Sequence, residues 1–152
     1  MSVSVQTEPF DVAAEMAAMT EGNRDIGAVV SFTGLVRETT EAGAIEALEL
    51  EHYPGMTEQA LEDIVAEARD RWPLQNLRLI HRYGAMAPGE GIVMVLTASR
   101  HRQAAFQAAE FLMDYLKTKA PFWKKETGAH GGAWVDARES DDAATKRWEK
   151  SR

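Results

Sequence analysis

The sequence predicts an α+β domain: a mostly antiparallel sheet with helices packed on one face. Three observations point there. Short runs rich in β-branched residues alternate with turn residues, two long stretches repeat at helical period, and no linker is long enough to divide the chain. The implied order is β-α-β-β-α-β-β-α-β-α within one domain over residues 1–152, a length sufficient to bury one core.

Val3–Thr7 reads as a short first strand. Asp11 caps a short helix through Met19, with Val12, Glu15, Met16 and Met19 at helical spacing. Gly27–Val36 (GAVVSFTGLV) reads as a buried strand, and Ile45–Tyr53 as a second strand and its hairpin partner. Pro54-Gly55 stops that strand. Thr57 then caps an amphipathic helix with Leu61, Ile64, Val65, Ala68 and Trp72 inside and Glu58, Glu62, Asp63 and Glu67 outside, ended by Pro73. Leu77–Tyr83 and Gly91–Ala98 are two more strands, separated by the turn Ala87-Pro88-Gly89-Glu90. A long helix runs from about His101 to Lys119 and is terminated by Pro121. Gly128–Gly132 reads as a loop, Trp134-Val135 as a last short strand, and Asp141 as the cap of a final helix ending near Trp148.

Composition excludes several functions. Hydrophobic content of 45% and charged content of 27% are those of a globular protein, not a disordered one. A net charge of -7 suits neither a broad nucleic-acid surface nor any other polyanion, so local basic clusters stand out. There is no cysteine, which removes disulfides, thiolate metal sites and thiol nucleophiles and fits a reducing compartment. Residues 1–9 have no apolar core of a signal peptide, and the longest apolar run, Ile92–Leu96, is too short to span a membrane. The expectation is a cytoplasmic protein with no nucleic-acid or membrane partner.

Two basic clusters and one strand end could carry chemistry. Ser99-Arg100-His101-Arg102 stands where a strand ends and the long helix begins, and free N–H groups there favour anions. Cations at a helix start work against its dipole, so the cluster points to an anion; the bland alternative is a solvated turn with one Arg paired to a surface acid. Lys117, Lys119, Lys124 and Lys125 surround Phe122 and Trp123. They complement the helix C-terminus on the bland reading. On the functional one, Pro121 folds Lys124 back towards Lys117, and mutual repulsion with partial burial lowers an amine's pKa into the range of acid–base or nucleophilic work. Arg37 ends the strand FTGLVR and is a possible third anion contact, although an ordinary strand-end Arg is the simpler reading. His52 and His81 fall in strand patterns, as packed or surface residues more often than ligands, and His130 falls in a glycine loop. No histidine pair has metal-ligand spacing and no GxGxxG or P-loop is present, so neither a metal nor a nucleotide cofactor is expected. A sensor of a phosphorylated metabolite and a nucleic-acid module stacking bases on Phe122 and Trp123 are the rival readings.

The segments GAVVSFTGLVR, LELEHYPGM, RYGAMAPGE, TASRHRQAAF and above all MDYLKTKAPFWKKE resemble the large, catalytic subunit of molybdopterin synthase, over about Phe10 to Trp148. The resemblance implies an α/β-hammerhead-like fold and a sulfurtransferase without a cofactor. It implies conversion of cyclic pyranopterin monophosphate (precursor Z) to molybdopterin by installing two dithiolene sulfurs. Sulfur arrives as a thiocarboxylate on the C-terminus of a small ubiquitin-like subunit, within a heterotetramer built on a homodimer of the large chain. A chain without cysteine cannot carry that sulfur as a persulfide, so a partner must bring it. By position, Lys117 and Lys124 match the family's catalytic lysines. Arg37, His101 and Arg102 match residues that bind the substrate and its phosphate, Lys125 and Glu126 adjoin the pocket, and Arg138 matches a further site residue. Some members carry Lys where this chain has Leu35.

One geometric consequence follows from the helix. His101 and Lys117 lie sixteen residues apart, roughly 24 Å on one continuous helix, too far for one pterin-sized ligand to touch both. Either the helix breaks, or Lys117 of one chain joins His101 and Arg102 of another; the second is expected, a homodimer with composite sites.

Overall fold

The computed structural model describes residues 2–40, 43–128, 131–135 and 139–150. In chain order the elements are β1 (Val3–Gln6), α1 (Val12–Thr20), β2 (Ala28–Leu35), β3 (Thr39–Thr40), β4 (Gly43–His52), α2 (Met56–Arg71), β5 (Leu74–Arg82), β6 (Gly84–Met86), β7 (Gly91–Ser99), α3 (Arg102–Lys119), β8 (Phe122–Gly128), β9 (Gly131–Val135) and α4 (Glu139–Lys150). They make an α+β fold in which β1–β5 is the parallel pair and the other pairings are antiparallel.

The strands divide into two sheets. One has the order β1-β5-β7-β2; the other has the order β3-β4-β8-β9, with β6 also paired to β4. The expected hairpin of β2 with β4 is therefore replaced: β2 pairs with β7 along its length, and β4 takes β3, β6 and β8. A register shift between Gly34 and Leu35 ends the β2–β7 ladder and releases the chain into the second sheet.

Period-two burial on the first sheet fills both its faces. Leu77, Leu79, Val93 and Val95 meet Leu61, Ile64 and Val65 of α2 and Phe111, Leu112 and Leu116 of α3. Ile80, Met94, Leu96 and Ala98 point the other way onto Met19 of α1. The two long helices thus share one face, and short α1 covers the other. Each fully buried Leu or Phe contributes roughly 1.5–3 kcal/mol, so these two layers supply most of the driving force.

Local chemistry explains the helix ends. Asp11 caps α1 by accepting from the Ala14 N–H at 3.0 Å. The α2 cap position is Gly55, at φ +86°, with Glu58 accepting its N–H. Thr57, expected as the cap, lies inside the first turn, fully buried, its hydroxyl donating to the Tyr53 carbonyl at 2.9 Å. Buried Thr97 of β7 donates to the Ala105 carbonyl at 2.7 Å and so fixes the start of α3 against the sheet. The final helix begins at Glu139, ahead of Asp141, and packs Trp148 onto Trp72 and Phe111. No helix among the described residues is long and apolar enough to cross a membrane.

Residues 122–128, to which the sequence assigned no element before the expected loop at Gly128, are a strand. β8 runs antiparallel to β4, pairing Leu50 with Lys124, Glu49 with Lys125 and Leu48 with Glu126. Gly128 and Gly131–Gly132, expected in a loop, pair at the end of the β8–β9 ladder.

Candidate active site

A cleft of about 330 Å³ opens where the two sheets meet the C-terminal end of α3. Arg37 enters from the loop after β2, Lys117 from the last turn of α3 and Lys124 from β8. The strand at 122–128 explains how the second lysine arrives: Pro121 breaks the helix, and the chain doubles back along β4 to present Lys124 beside Lys117. Leu48, Leu50, Ile92, Met113 and Phe122 form apolar walls, and among the described residues no carboxylate lines the cavity. Three cations lining one largely apolar cleft are suited to a ligand with a flat apolar body and at least one anionic group.

The remaining predicted residues fall into three groups. His101 and Arg102 are exposed at the opposite end of α3, where His101 is the cap position and its N–H donates to Ser99 Oγ at 3.3 Å. Arg100 of the same cluster pairs with Asp25 at 3.1 Å, so the bland reading holds for that arginine. Lys125 and Glu126 flank Lys124 on β8. Glu126 is buried two residues along, on the Lys124 face, whereas Lys125 lies on the opposite face in register with Glu49. Arg138, like His130, lies outside the described residues.

Helix α3 is unbroken for 18 residues, about 27 Å long. Of the two alternatives raised by the spacing of His101 and Lys117, a broken helix is therefore excluded. Within one chain the lysine cleft and the His101–Arg102 cluster are separate places.

Three further lining residues were given no site role from the sequence. Leu35 and Phe32 are 55% and 41% exposed on β2, which is the outer strand of its sheet. His81 is the third: it is 5% exposed and packed, as a strand histidine was expected to be, yet it also lines the cleft. Its ring stacks on Phe122 with centroids 3.9 Å apart and an interplanar angle of 18°. Burial pushes its pKa down to about 4, and the charges of Lys117 and His52 push the same way against an opposing hydrogen bond to the Arg82 carbonyl. The only signal for it in the sequence is a titratable residue inside the apolar run LRLIHRY.

Close backbone approaches brace this geometry. A Cβ on Gly27 would lie 2.2 Å from the Arg100 carbonyl oxygen, and one on Gly34 would lie 2.8 Å from Val93 Cγ1. Buried Arg82 donates to the Thr7 carbonyl at 2.9 and 3.0 Å and to the Gly91 carbonyl at 3.1 Å, locking together the strands that carry His81.

Comparison with known proteins adds to the geometry. The pattern of the MoaE protein family matches residues 5–119. The molybdopterin synthase catalytic subunit of Mesorhizobium japonicum is 60% identical over 152 residues, covering 99% of this chain and 94% of its own. The molybdopterin biosynthesis MoaE protein of Burkholderia ambifaria superposes with a TM-score of 0.83 at 53% identity, over 97% of both chains. The crystal structure of molybdopterin synthase from Staphylococcus aureus gives a TM-score of 0.81 at 33% identity, over 88% of this chain and 96% of that one. From the match over most of its length and from these full-length relatives, the chain belongs to the MoaE protein family.

Proposed function

We propose that this chain is the catalytic subunit of molybdopterin synthase and works as a sulfurtransferase. It moves sulfur from the thiocarboxylated C-terminus of a small ubiquitin-like subunit to cyclic pyranopterin monophosphate, forming the dithiolene of molybdopterin. The observation that carries the reading is the convergence of Arg37, Lys117 and Lys124 on one largely apolar cleft.

In this reading Arg37, with His101 and Arg102 of a second copy, grips the phosphate; guanidinium groups suit it because they donate in pairs to phosphate oxygens. Lys117 acts at the reacting carbon, as acid and base or by transient covalent linkage. Lys124 stabilises developing negative charge or orients the partner's tail, and Lys125, Glu126 and Arg138 complete the surroundings. The shared site requires a homodimer inside a heterotetramer with two small subunits. The length of α3 supports it, since one ligand cannot bridge that helix. Exposed Phe32 and Leu35 on the outer strand, which line the cleft, give a second copy an apolar surface there. A cytoplasmic location goes with this reading.

Turnover tests it. Incubated with precursor Z and the thiocarboxylated partner, the protein is expected to yield molybdopterin, and Lys117→Ala is expected to yield essentially none. Binding of precursor Z without dithiolene formation would replace the enzyme with a sensor. Full activity in Lys117→Ala would remove that lysine from the chemistry.

A further inference from the structure

His81 is a buried ring with one nitrogen committed and one open. Nδ1 lies 2.8 Å from the Arg82 carbonyl oxygen, and a carbonyl only accepts, so Nδ1 carries the hydrogen. Nε2 has no hydrogen-bond partner among the described residues. Every fully shielded side-chain nitrogen or oxygen among them does have one, so Nε2 is not shielded, and the space that the ring lines is the cleft. Stacking on Phe122 and pairing of β5 with β1 and β7 on either side, His81 opposite Val5 and Val93, leave the ring little freedom to turn. Burial keeps it neutral, with its pKa pushed down to about 4.

A neutral imidazole with its hydrogen on Nδ1 is an acceptor at Nε2 and nothing else. That makes it exceptional in its surroundings. Of the other side chains along the cleft, Arg37, Lys117, Lys124 and the Trp123 indole only donate, and the sulfur of Met113 accepts weakly. Among the described lining side chains His81 is therefore the single nitrogen or oxygen acceptor. The cations suit the acceptor groups of a ligand, above all a phosphate, but they offer nothing to its donors. A ligand that brings an N–H into this cleft has one side chain to give it to. A ligand with no such group leaves Nε2 unpaired in a desolvated place, which costs affinity.

We propose that His81 is a substrate-specificity residue: its Nε2 accepts a hydrogen bond from a ring N–H or amino group of the substrate, and so selects a nitrogen heterocycle over other flat phosphate esters. The proposal rests on the reading of the cleft as the site of a pterin phosphate, a ring system that carries both kinds of donor. It adds to the grip on the phosphate a contact at the other end of the molecule, made by an acceptor whose tautomer and orientation are set before the substrate arrives.

Binding tests it in the full chain without the sulfur-carrying partner, by calorimetry with two probes. One is cyclic pyranopterin monophosphate. The other is phenyl phosphate, which has a flat apolar ring and a phosphate but no N–H. His81→Met is expected to raise the Kd of the pterin about 5- to 50-fold and to leave that of phenyl phosphate unchanged. His81→Gln, whose amide oxygen accepts, is expected to recover most of the loss. In turnover the same change is expected in KM, with kcat nearly constant. Equal pterin affinity in wild type and His81→Met overturns the proposal. So does an equal loss for both probes, which marks a deformed cleft and not a lost acceptor. If His81→Met does not fold, the His81 Nε2 ¹⁵N signal of wild type decides. It is expected to move from the free-acceptor position on addition of the pterin and to stay in place with phenyl phosphate, and no movement with the pterin overturns the proposal. A wild-type protein that binds phenyl phosphate but not the pterin refutes the reading of the substrate itself, a result distinct from a pterin that binds without regard to His81.

Discussion

Mixing two inactive variants tests whether the site is shared between copies. On the proposed reading, Lys117→Ala removes the cleft end of a site and Arg102→Ala its phosphate end. Because α3 is continuous over its 18 residues, about 27 Å, no single ligand uses both ends of one helix. In a symmetric dimer each site then takes Lys117 from one chain and Arg102 from its partner. A mixed dimer of the two variants has one doubly damaged site and one with both residues intact. Random exchange makes about half of all dimers mixed, so about a quarter of all sites are restored. The assay is molybdopterin formation after the variants are exchanged under mild denaturant and returned to native buffer, with native mass spectrometry to count mixed dimers. Recovery near one quarter of wild-type activity is expected. No recovery above the parent variants, with mixed dimers present, would refute the shared site and leave Arg102 and His101 without a part in the same reaction.

Two further outcomes follow from the packing. A Cβ at position 128 would meet the Ala44 carbonyl oxygen at 2.4 Å, so Gly128→Ala must displace β8 from β4; a loss of about 1–3 kcal/mol in urea unfolding is expected, with lower turnover because β8 carries Lys124. A wild-type urea midpoint would show that the strands separate at no cost. The folded-state pKa of His81, about 4, lies below its ordinary 6.5. Between those values the unfolded chain binds the extra proton, so stability is present above pH 6.5 and is lost as pH falls towards 4. The full shift amounts to about 3 kcal/mol. The stability difference between wild type and His81→Gln, followed from pH 7.5 to 4, is expected to change by that order, and a constant difference would remove His81 from the acid response.

The helices and the apolar strands were legible because burial imposes a period on them. α2 and α3 bury one face each, and Leu77–Ile80 and Val93–Ala98 are buried so thoroughly that the run of apolar residues announces them. The strand Phe122–Gly128 was not legible for the same reason turned round. One of its faces lines a charged cleft, so Lys124 stands where a core strand would carry an apolar side chain, and the run KKET reads as solvent-facing. Strand partners were equally hidden. β2 and β4 are neighbours in the chain, but their pairing is decided by which faces α2 and α3 cover, and that is a long-range matter. His81 was read as a packed or surface strand residue, and it is packed; that it also lines the cleft was hidden, because which residues share a cavity is a long-range matter.

That cleft has an electrostatic consequence that needs no substrate to test. Arg37, Lys117 and Lys124 line one cleft, so like charges are gathered there and an anion relieves them. Inorganic phosphate, the simplest fragment of a phosphorylated substrate, is therefore expected to stabilise the fold. If it binds with a Kd on the order of 1 mM, 10 mM adds about 1.4 kcal/mol, or a rise of roughly 3–6 °C in Tm for a chain of this size. Chloride at equal ionic strength controls for screening, which acts on every exposed pair alike. In Arg37→Ala combined with Lys124→Ala the phosphate-specific rise is expected to fall below half. A rise that survives the loss of both cations would place the anion at the Ser99–Arg102 turn instead. The cleft would then owe its positive charge to the other anion of the reaction, the thiocarboxylate of the incoming tail.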